Sequence, residues 1–408
     1  MIFDRAKAVI NRNFPSLSHN NFRYLFTGQV ISLVGTWMQI MAQAWLVYTI
    51  TNSAFKLGIV SAMQFLPTLL FSLFAGALVD KMPKKKILIV TQALSMLQAL
   101  VLFALVYTGY VEYWHVIVLA FLLGCTNAVD MPAGQSYIIE LVGRQDVVNA
   151  VGLNSAIFNL ARVVGPAIAG VLMTNIGIEW CFFINAFSFV PTIIALFMVT
   201  QKWIPNGDKH QGIIDEIKDG LSYIYRTPAL FKTLLIIIFV TMVGYNFNVL
   251  TPVFAKTVLR LKEQGFGMLL SFFGVGSIIG ALITSTRFKE KGPRPKLLML
   301  ISVLMGAALV CFGFSKSIYA AAFFMTLCGV FGVMFFTMSN SILQVNSADK
   351  YRGRVMSVYA IGFGGAMPIG NFVTGFIAEH VGAGATLIST GIIIIFIVST
   401  IRLVRAYW

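Results

Sequence analysis

Charge is scarce in this chain, and negative charge is scarcer still. Charged residues make up 11% of the 408 positions, with 15 acidic side chains against 30 basic ones and a formal net charge of +15. A soluble domain carries about 25% charged residues because something must face water, so an ordinary soluble fold is excluded. Cysteine is also rare: Cys125, Cys181, Cys311 and Cys328 stand singly in apolar stretches. That scatter has neither metal-ligand spacing nor the look of a disulfide framework, which leaves them as small packing residues. His115, His210 and His380 are isolated near segment ends and suggest no metal cluster. The phosphate-binding pattern GxxxxGK[ST] is missing, which argues against ATP hydrolysis within the chain. Gly274-Val275-Gly276-Ser277-Ile278-Ile279-Gly280 has the wrong spacing for a nucleotide loop and sits inside an apolar run, where helix packing explains it. No enzyme motif and no cofactor is therefore expected. The first twenty residues lack the apolar core and cleavage site of a signal peptide.

What is present is hydrophobic length. Apolar residues reach 58% and come in blocks of about twenty, enough to cross a bilayer as helices. A membrane β-barrel would need alternating strands rather than continuous runs. The sequence predicts an all-α integral membrane protein with twelve spans, approximately 22–50, 55–79, 86–108, 115–137, 148–174, 180–200, 229–258, 265–287, 296–314, 317–343, 355–378 and 384–405. Lysine and arginine gather beside the termini and in alternate loops, with a bias of about five to one over the opposite side, so both termini are expected in the cytoplasm. The same distribution argues against nucleic acid as partner, since the basic residues lie in loops between spans. Ile2, Phe3, Ala6, Val9 and Ile10 share a helical face, as expected of a short helix on the membrane surface.

The longest polar interruption, residues 201–228, separates an N-terminal six-span unit (1–200) from a C-terminal one (229–408). Within it Ile213, Ile214, Ile217, Leu221 and Ile224 recur at helical spacing beside Asp215, Glu216 and Asp219, predicting an amphipathic helix at the cytoplasmic surface. A shift of 205 positions superposes Gly165, Gly170 and Gly177 on Gly370, Gly375 and Gly382, and Gly76-Ala77-Leu78 recurs as Gly280-Ala281-Leu282. Such a repeat is expected of two parallel six-helix halves.

Gly76-Ala77-Leu78-Val79-Asp80-Lys81-Met82-Pro83-Lys84-Lys85-Lys86 follows the second span. It resembles the loop signature of the major facilitator superfamily, with Pro83 where that pattern has its second glycine. The resemblance implies the two-bundle major facilitator fold, with Gly76, Asp80, Lys81, Lys84 and Lys85 in a gating latch; a plain positive-inside loop is the alternative. Arg162-Val163-Val164-Gly165-Pro166-Ala167-Ile168-Ala169-Gly170 resembles the glycine-proline motif of the antiporter branch, which puts Gly165, Pro166 and Gly170 among the gating residues. Asn127–Ala133, Glu140-Leu141-Val142, Asn149–Asn154, Gly35–Gln39, Gln43–Tyr48 and Arg352-Gly353-Arg354-Val355 resemble the branch that includes the enterobactin exporter and drug-efflux pumps. Arg352 and Arg354 are read as gating residues on that basis. Gly134 stands where many relatives have arginine.

Two charged residues stand out as lying well inside the predicted spans rather than at their ends, Asp130 and Arg162. Such groups are costly in a bilayer and face a wet cavity or a partner. Asp130 is a candidate for proton coupling or for a structural salt bridge, and Arg162 for an anion site or for the counter-ion of Asp130. In the first span Gln29, Ser32, Thr36, Gln39 and Gln43 are three or four residues apart and form one polar face. Unsatisfied amides are costly against lipid, so this stripe lines a cavity or bonds to another helix. Tyr245, Asn248, Thr337, Asn340 and Gln344 are weaker cavity candidates, and Trp37 and Trp45 suit stacking or interface anchoring. The expected function is proton-coupled export of a small organic molecule (siderophore, drug or metabolite) by a monomer in a bacterial inner membrane. The alternatives are movement of lipid or lysolipid, or ligand sensing without transport.

Overall fold

The computed structural model describes residues 14–200, 213–287 and 293–403. The N-terminal surface helix expected over residues 2–12 lies outside them, as does the first part of the 201–228 linker. Among the described residues, twelve helices are long and apolar enough to span a bilayer. In chain order these are Asn20–Thr51, Ala54–Lys81, Lys84–Tyr107, Tyr113–Gly143, Gln145–Asn175 and Glu179–Met198, then Pro228–Thr257, Glu263–Arg287, Pro295–Phe314, Ile318–Val345, Asp349–Val381 and Ala383–Leu403. They are numbered one to twelve below. The amphipathic linker helix is present as Ile213–Arg226.

Three details depart from the predicted boundaries. Spans four and five run on to meet at Gly143, whose φ of 72° and ψ of 173° turn the chain without a loop. Span eleven starts at Asp349, six residues earlier than its apolar run suggests. Hydropathy reports only the stretch in contact with hydrocarbon, whereas a helix continues into the polar boundary as long as its own hydrogen bonds hold. Span seven is broken. Its helix stops at Gly244 and restarts at Phe247, with Tyr245 and Asn246 at φ near −104° and −103° and ψ of 34° and 38°. Asn246 steadies the break, donating from Nδ2 to the Met242 carbonyl at 2.8 Å and to Thr374 Oγ1 at 2.8 Å.

The two groups of six pack alike. Span one lies on spans five and six, and span seven on spans eleven and twelve; spans two and four pair as eight and ten do. The glycine repeat acquires a physical meaning from this. A Cβ on Gly165 would sit 2.7 Å from the Cβ of Trp37 in span one, and a Cβ on its counterpart Gly370 would strike the Met242 carbonyl in span seven. Gly170 abuts Gln264 of span eight, while Gly375 abuts Ala54 and Gly58 of span two. Gly177 and Gly382 both end their helices at positive φ, 113° and 84°, where a side chain would be strained. The shift also relates the segments that precede each group. Ser16 Oγ donates to Asn149 Oδ1 at 2.6 Å and His19 Nε2 lies 2.8 Å from Asp146 Oδ2. Adding 205 to 146 and 149 gives 351 and 354, and there Tyr351 stacks on Tyr223 at 4.4 Å while Arg354 pairs with Asp219 at 2.9 Å.

The tightest backbone approach joins spans eight and ten, where Gly276 faces the Thr326 carbonyl and Gly329 that of Phe273. Gly276→Leu is expected to force them apart and destabilise the protein by about 3 kcal/mol or more. Gly353→Ala, into open space, should leave stability within about 1 kcal/mol of the parent. Thermal unfolding in detergent, followed by size-exclusion chromatography, checks both.

Candidate functional site

A cavity opens where four spans meet near mid-length, two from each group. Span one contributes Trp37, Ile40 and Met41; span five contributes Arg162 and Pro166; span seven gives Phe247 and Asn248; span eight gives Leu270 and Phe273. The break in span seven shapes this place. It turns Tyr245 so that its hydroxyl accepts a hydrogen bond from Arg162 Nη2 at 2.9 Å. The guanidinium carbon lies 4.4 Å from the Phe273 ring centre, 5.1 Å from that of Trp37 and 5.8 Å from that of Tyr245. A planar cation is well matched to such ring faces. Discontinuous helices beside a mid-membrane site are a recurring device of membrane transport proteins, because the freed backbone is sheltered from lipid.

The contacts between the two groups are unevenly distributed along the spans. At the end away from the termini, Glu379 of span eleven accepts from the backbone N–H groups of Ala54 and Phe55, at 2.6 and 3.3 Å, and so caps span two. Trp45 Nε1 donates to Glu263 Oε1 at 3.1 Å and its ring stacks on Phe266 at 5.4 Å. Lys256 reaches Asn52 at 3.2 Å and lies over Tyr48 at 5.2 Å. At mid-span Ser271 Oγ donates to the Val163 carbonyl at 2.9 Å. Toward the termini, Cβ atoms on Gly76, Gly152 and Gly353 would meet nothing within 4 Å, as would those on Gly109 and Gly382 at the other end.

The sequence profile of the MFS_3 family, described as transmembrane secretion effectors, matches residues 12–406. The chain belongs to this major facilitator family. It is 29% identical to the staphyloferrin A transporter of Staphylococcus aureus, over 91% of this chain and 92% of that one. It is 26% identical to the multidrug efflux pump Tap of Mycolicibacterium fortuitum, over 87% and 88% of the two chains. Among solved structures, a bacterial homologue of the human lysosomal transporter Spinster superposes with a TM-score of 0.73 at 13% identity, covering 93% of this chain and 96% of that one. The protein is thus a multi-pass membrane transporter of small molecules and not an enzyme.

Within the transporter, the residues singled out from the sequence fall into three places. Arg162, Pro166, Asn248 and Trp37 line the cavity, and Tyr245 stands behind Arg162. The polar stripe of span one largely turns away from it. Gln39 is buried, donating to Gln98 Oε1 at 2.8 Å and accepting from Asn185 Nδ2 at 2.6 Å, which binds span one to spans three and six. Ser32 and Gln43 are buried as well, Thr36 donates to the Ser32 carbonyl at 2.9 Å, and Gln29 is half-buried. Asn340 and Gln344 bond to each other toward the terminus-side end of span ten. The five apolar residues of the cavity, together with Glu263 and Glu379, escaped sequence reading. Apolar residues are too common here to signal anything, and the glutamates sit at span ends where acids are ordinary.

Asp130 and Arg162 make no ion pair with each other. Asp130 instead accepts from Thr91 Oγ1 at 2.5 Å and from Gln92 Nε2 at 3.1 Å, both on span three. In the signature loop, Lys84 is buried against Glu140 at 2.6 Å, and Lys85 donates to the Val199 carbonyl at 2.7 Å at the end of span six. These lysines tie span three to its own group of six. Lys81 is exposed, and the Asp80 side chain lies outside the described set. Gly165 and Gly170 form the joint of span five with spans one and eight, Pro166 lies between them, and the Pro166 carbonyl comes 2.5 Å from where a Cβ on Gly267 would be. Arg352 Nε donates to the Gln344 carbonyl at 3.2 Å, and Arg354 holds the linker helix through Asp219.

Gln39→Leu is expected to strand the Gln98 and Asn185 amides and cost about 1–2 kcal/mol of stability. Substrate affinity should change little. Thermal unfolding compared with binding in the same preparation separates the two effects.

Proposed function

We propose that the protein is a proton-coupled exporter that moves a small organic molecule across a bacterial inner (cytoplasmic) membrane by alternating access, acting as a monomer with both termini in the cytoplasm. The observation that carries this reading is the uneven closure of the two six-span groups. Among the described residues, the hydrogen bonds that join the two groups lie at the end away from the termini, through Glu379, Trp45 and Lys256, and at mid-span, through Arg162 and Ser271. The lysine and arginine bias supports a cytoplasmic position for the other, less bonded end, and on this reading the state is one that loads cargo from inside. Rocking of one group against the other about the central cavity would then expose the same site outward. In that motion the glycine joints of span five and the helix ends bearing Asp80, Lys81, Arg352 and Arg354 are the gating elements. The relatives named for staphyloferrin A transport and for multidrug efflux make siderophores and drugs the first cargo classes to test.

Asp130 is the proposed proton carrier. It is a carboxylate at membrane depth, held by a hydroxyl and an amide rather than by a cation. Protonation removes its charge without breaking the packing around it, as a coupling group requires. In proteoliposomes carrying a pH-sensitive dye, Asp130→Asn should abolish proton movement during transport while leaving ligand binding within about threefold. Proton movement that persists in the variant removes Asp130 from this role.

The end closure is equally open to test. A carboxylate on a helix N-terminus contributes about 0.3–2 kcal/mol. Glu379→Gln should therefore raise the labelling rate of Ala54→Cys, a buried position at this closure, by an impermeant maleimide about threefold to tenfold, in a background with the four native cysteines replaced. An unchanged rate would show that Glu379 does not hold this end closed.

A further inference from the structure

Among the described residues, the charge at the cavity has no ionic partner. Arg162 lies about halfway along span five, and a guanidinium keeps its charge throughout the physiological range. Its hydrogen-bond partner is the neutral Tyr245 hydroxyl, and three aromatic rings, Phe273, Trp37 and Tyr245, lie within 6 Å of it. Among the described residues it makes no ion pair; the acid nearest in the sequence of the facing helix, Glu263, is about two to three turns from Phe273 and is bonded to Trp45. Asp130 is taken up by Thr91 and Gln92. A guanidinium has five N–H donors, so one hydroxyl leaves most of them unused. Ring faces attract a cation but accept hydrogen bonds poorly. Such a charge in a low-dielectric site is offset best by an anion that takes two parallel N–H bonds.

The geometry points to Arg162 as the binding site for a carboxylate of the transported molecule, so that the cargo is an organic anion. The ring of Trp37 would flank the body of the cargo, and Asn248, the second polar lining residue, offers an amide for one further polar group. Cation–π contact with the rings holds Arg162 in place while the cavity is empty, so the arginine need not be reorganised before the anion arrives. This inference rests on the reading of the cavity as a substrate path, and it adds the sign of the charge and the residue that reads it.

The test uses the full-length protein in nanodiscs, titrated calorimetrically with 2-naphthoate and phthalate and with the neutral amide of each. The acids should bind about tenfold or more tightly than their amides. Arg162→Gln should erase that preference by weakening the acids more than the amides, and Arg162→Lys should retain part of it. Equal affinity for acid and amide in the parent protein overturns the inference, as does failure of both acids to bind, and neither outcome depends on a variant folding. A preference that survives in Arg162→Gln overturns the assignment of the site to this residue. The two readings fail separately. Charge-selective binding without release of trapped 2-naphthoate from proteoliposomes under a pH gradient would sink the export reading and keep the anion site. Gradient-driven movement of ethidium with no acid-over-amide preference would do the reverse.

Discussion

Lipid tails are as apolar as leucine, so two helices inside a bilayer gain little from burying apolar side chains against each other. What remains is close approach of backbones and a small number of hydrogen bonds. This constraint accounts for much of the architecture. Glycines stand where spans eight and ten cross, where span five meets spans one and eight, and where span eleven meets spans two and seven. Some interior polar side chains join spans: Gln39 links three of them, and Asn246 ties the break in span seven to span eleven. Glycine contacts occur both within a group, as between spans eight and ten, and across the seam, where Gly170 meets span eight and Gly375 meets span two, whereas amide bonds hold spans one, three and six of one group together.

The site follows from where that regularity gives way. Span seven interrupts its own hydrogen bonding at Tyr245 and Asn246, and the interruption aims a tyrosine hydroxyl at the arginine of span five. Aromatic rings from both groups complete the enclosure. A cavity built from four helices of two groups changes shape when the groups move, so the central position of Arg162 and the uneven closure of the two ends belong to one mechanical arrangement.

Much of this was legible in the sequence. The twelve apolar runs and the basic bias of alternate loops are written in composition, because partitioning into hydrocarbon acts on each segment separately. The glycine repeat was visible as a coincidence of spacing, and the signature loop and glycine-proline motif carried the family resemblance. The direction in which the polar face of span one points was not legible. Gln39 could equally have met water or another amide, and a helical wheel contains no neighbours. The break in span seven was hidden for a similar reason, since Gly244-Tyr245-Asn246-Phe247 is apolar enough to pass for continuous helix.

By itself, then, the sequence determined the number of membrane crossings, the family and the presence of two ionisable groups at membrane depth, since each of these depends on local composition or on motifs close in the chain. Only the tertiary structure decided that Asp130 and Arg162 do not neutralise each other. Asp130 packs against Thr91 and Gln92, about 40 residues away, whereas Arg162 meets Tyr245 and Phe273 of the other group. The partner of a charge is set by which helices become neighbours, and that is a property of the whole packing rather than of any segment.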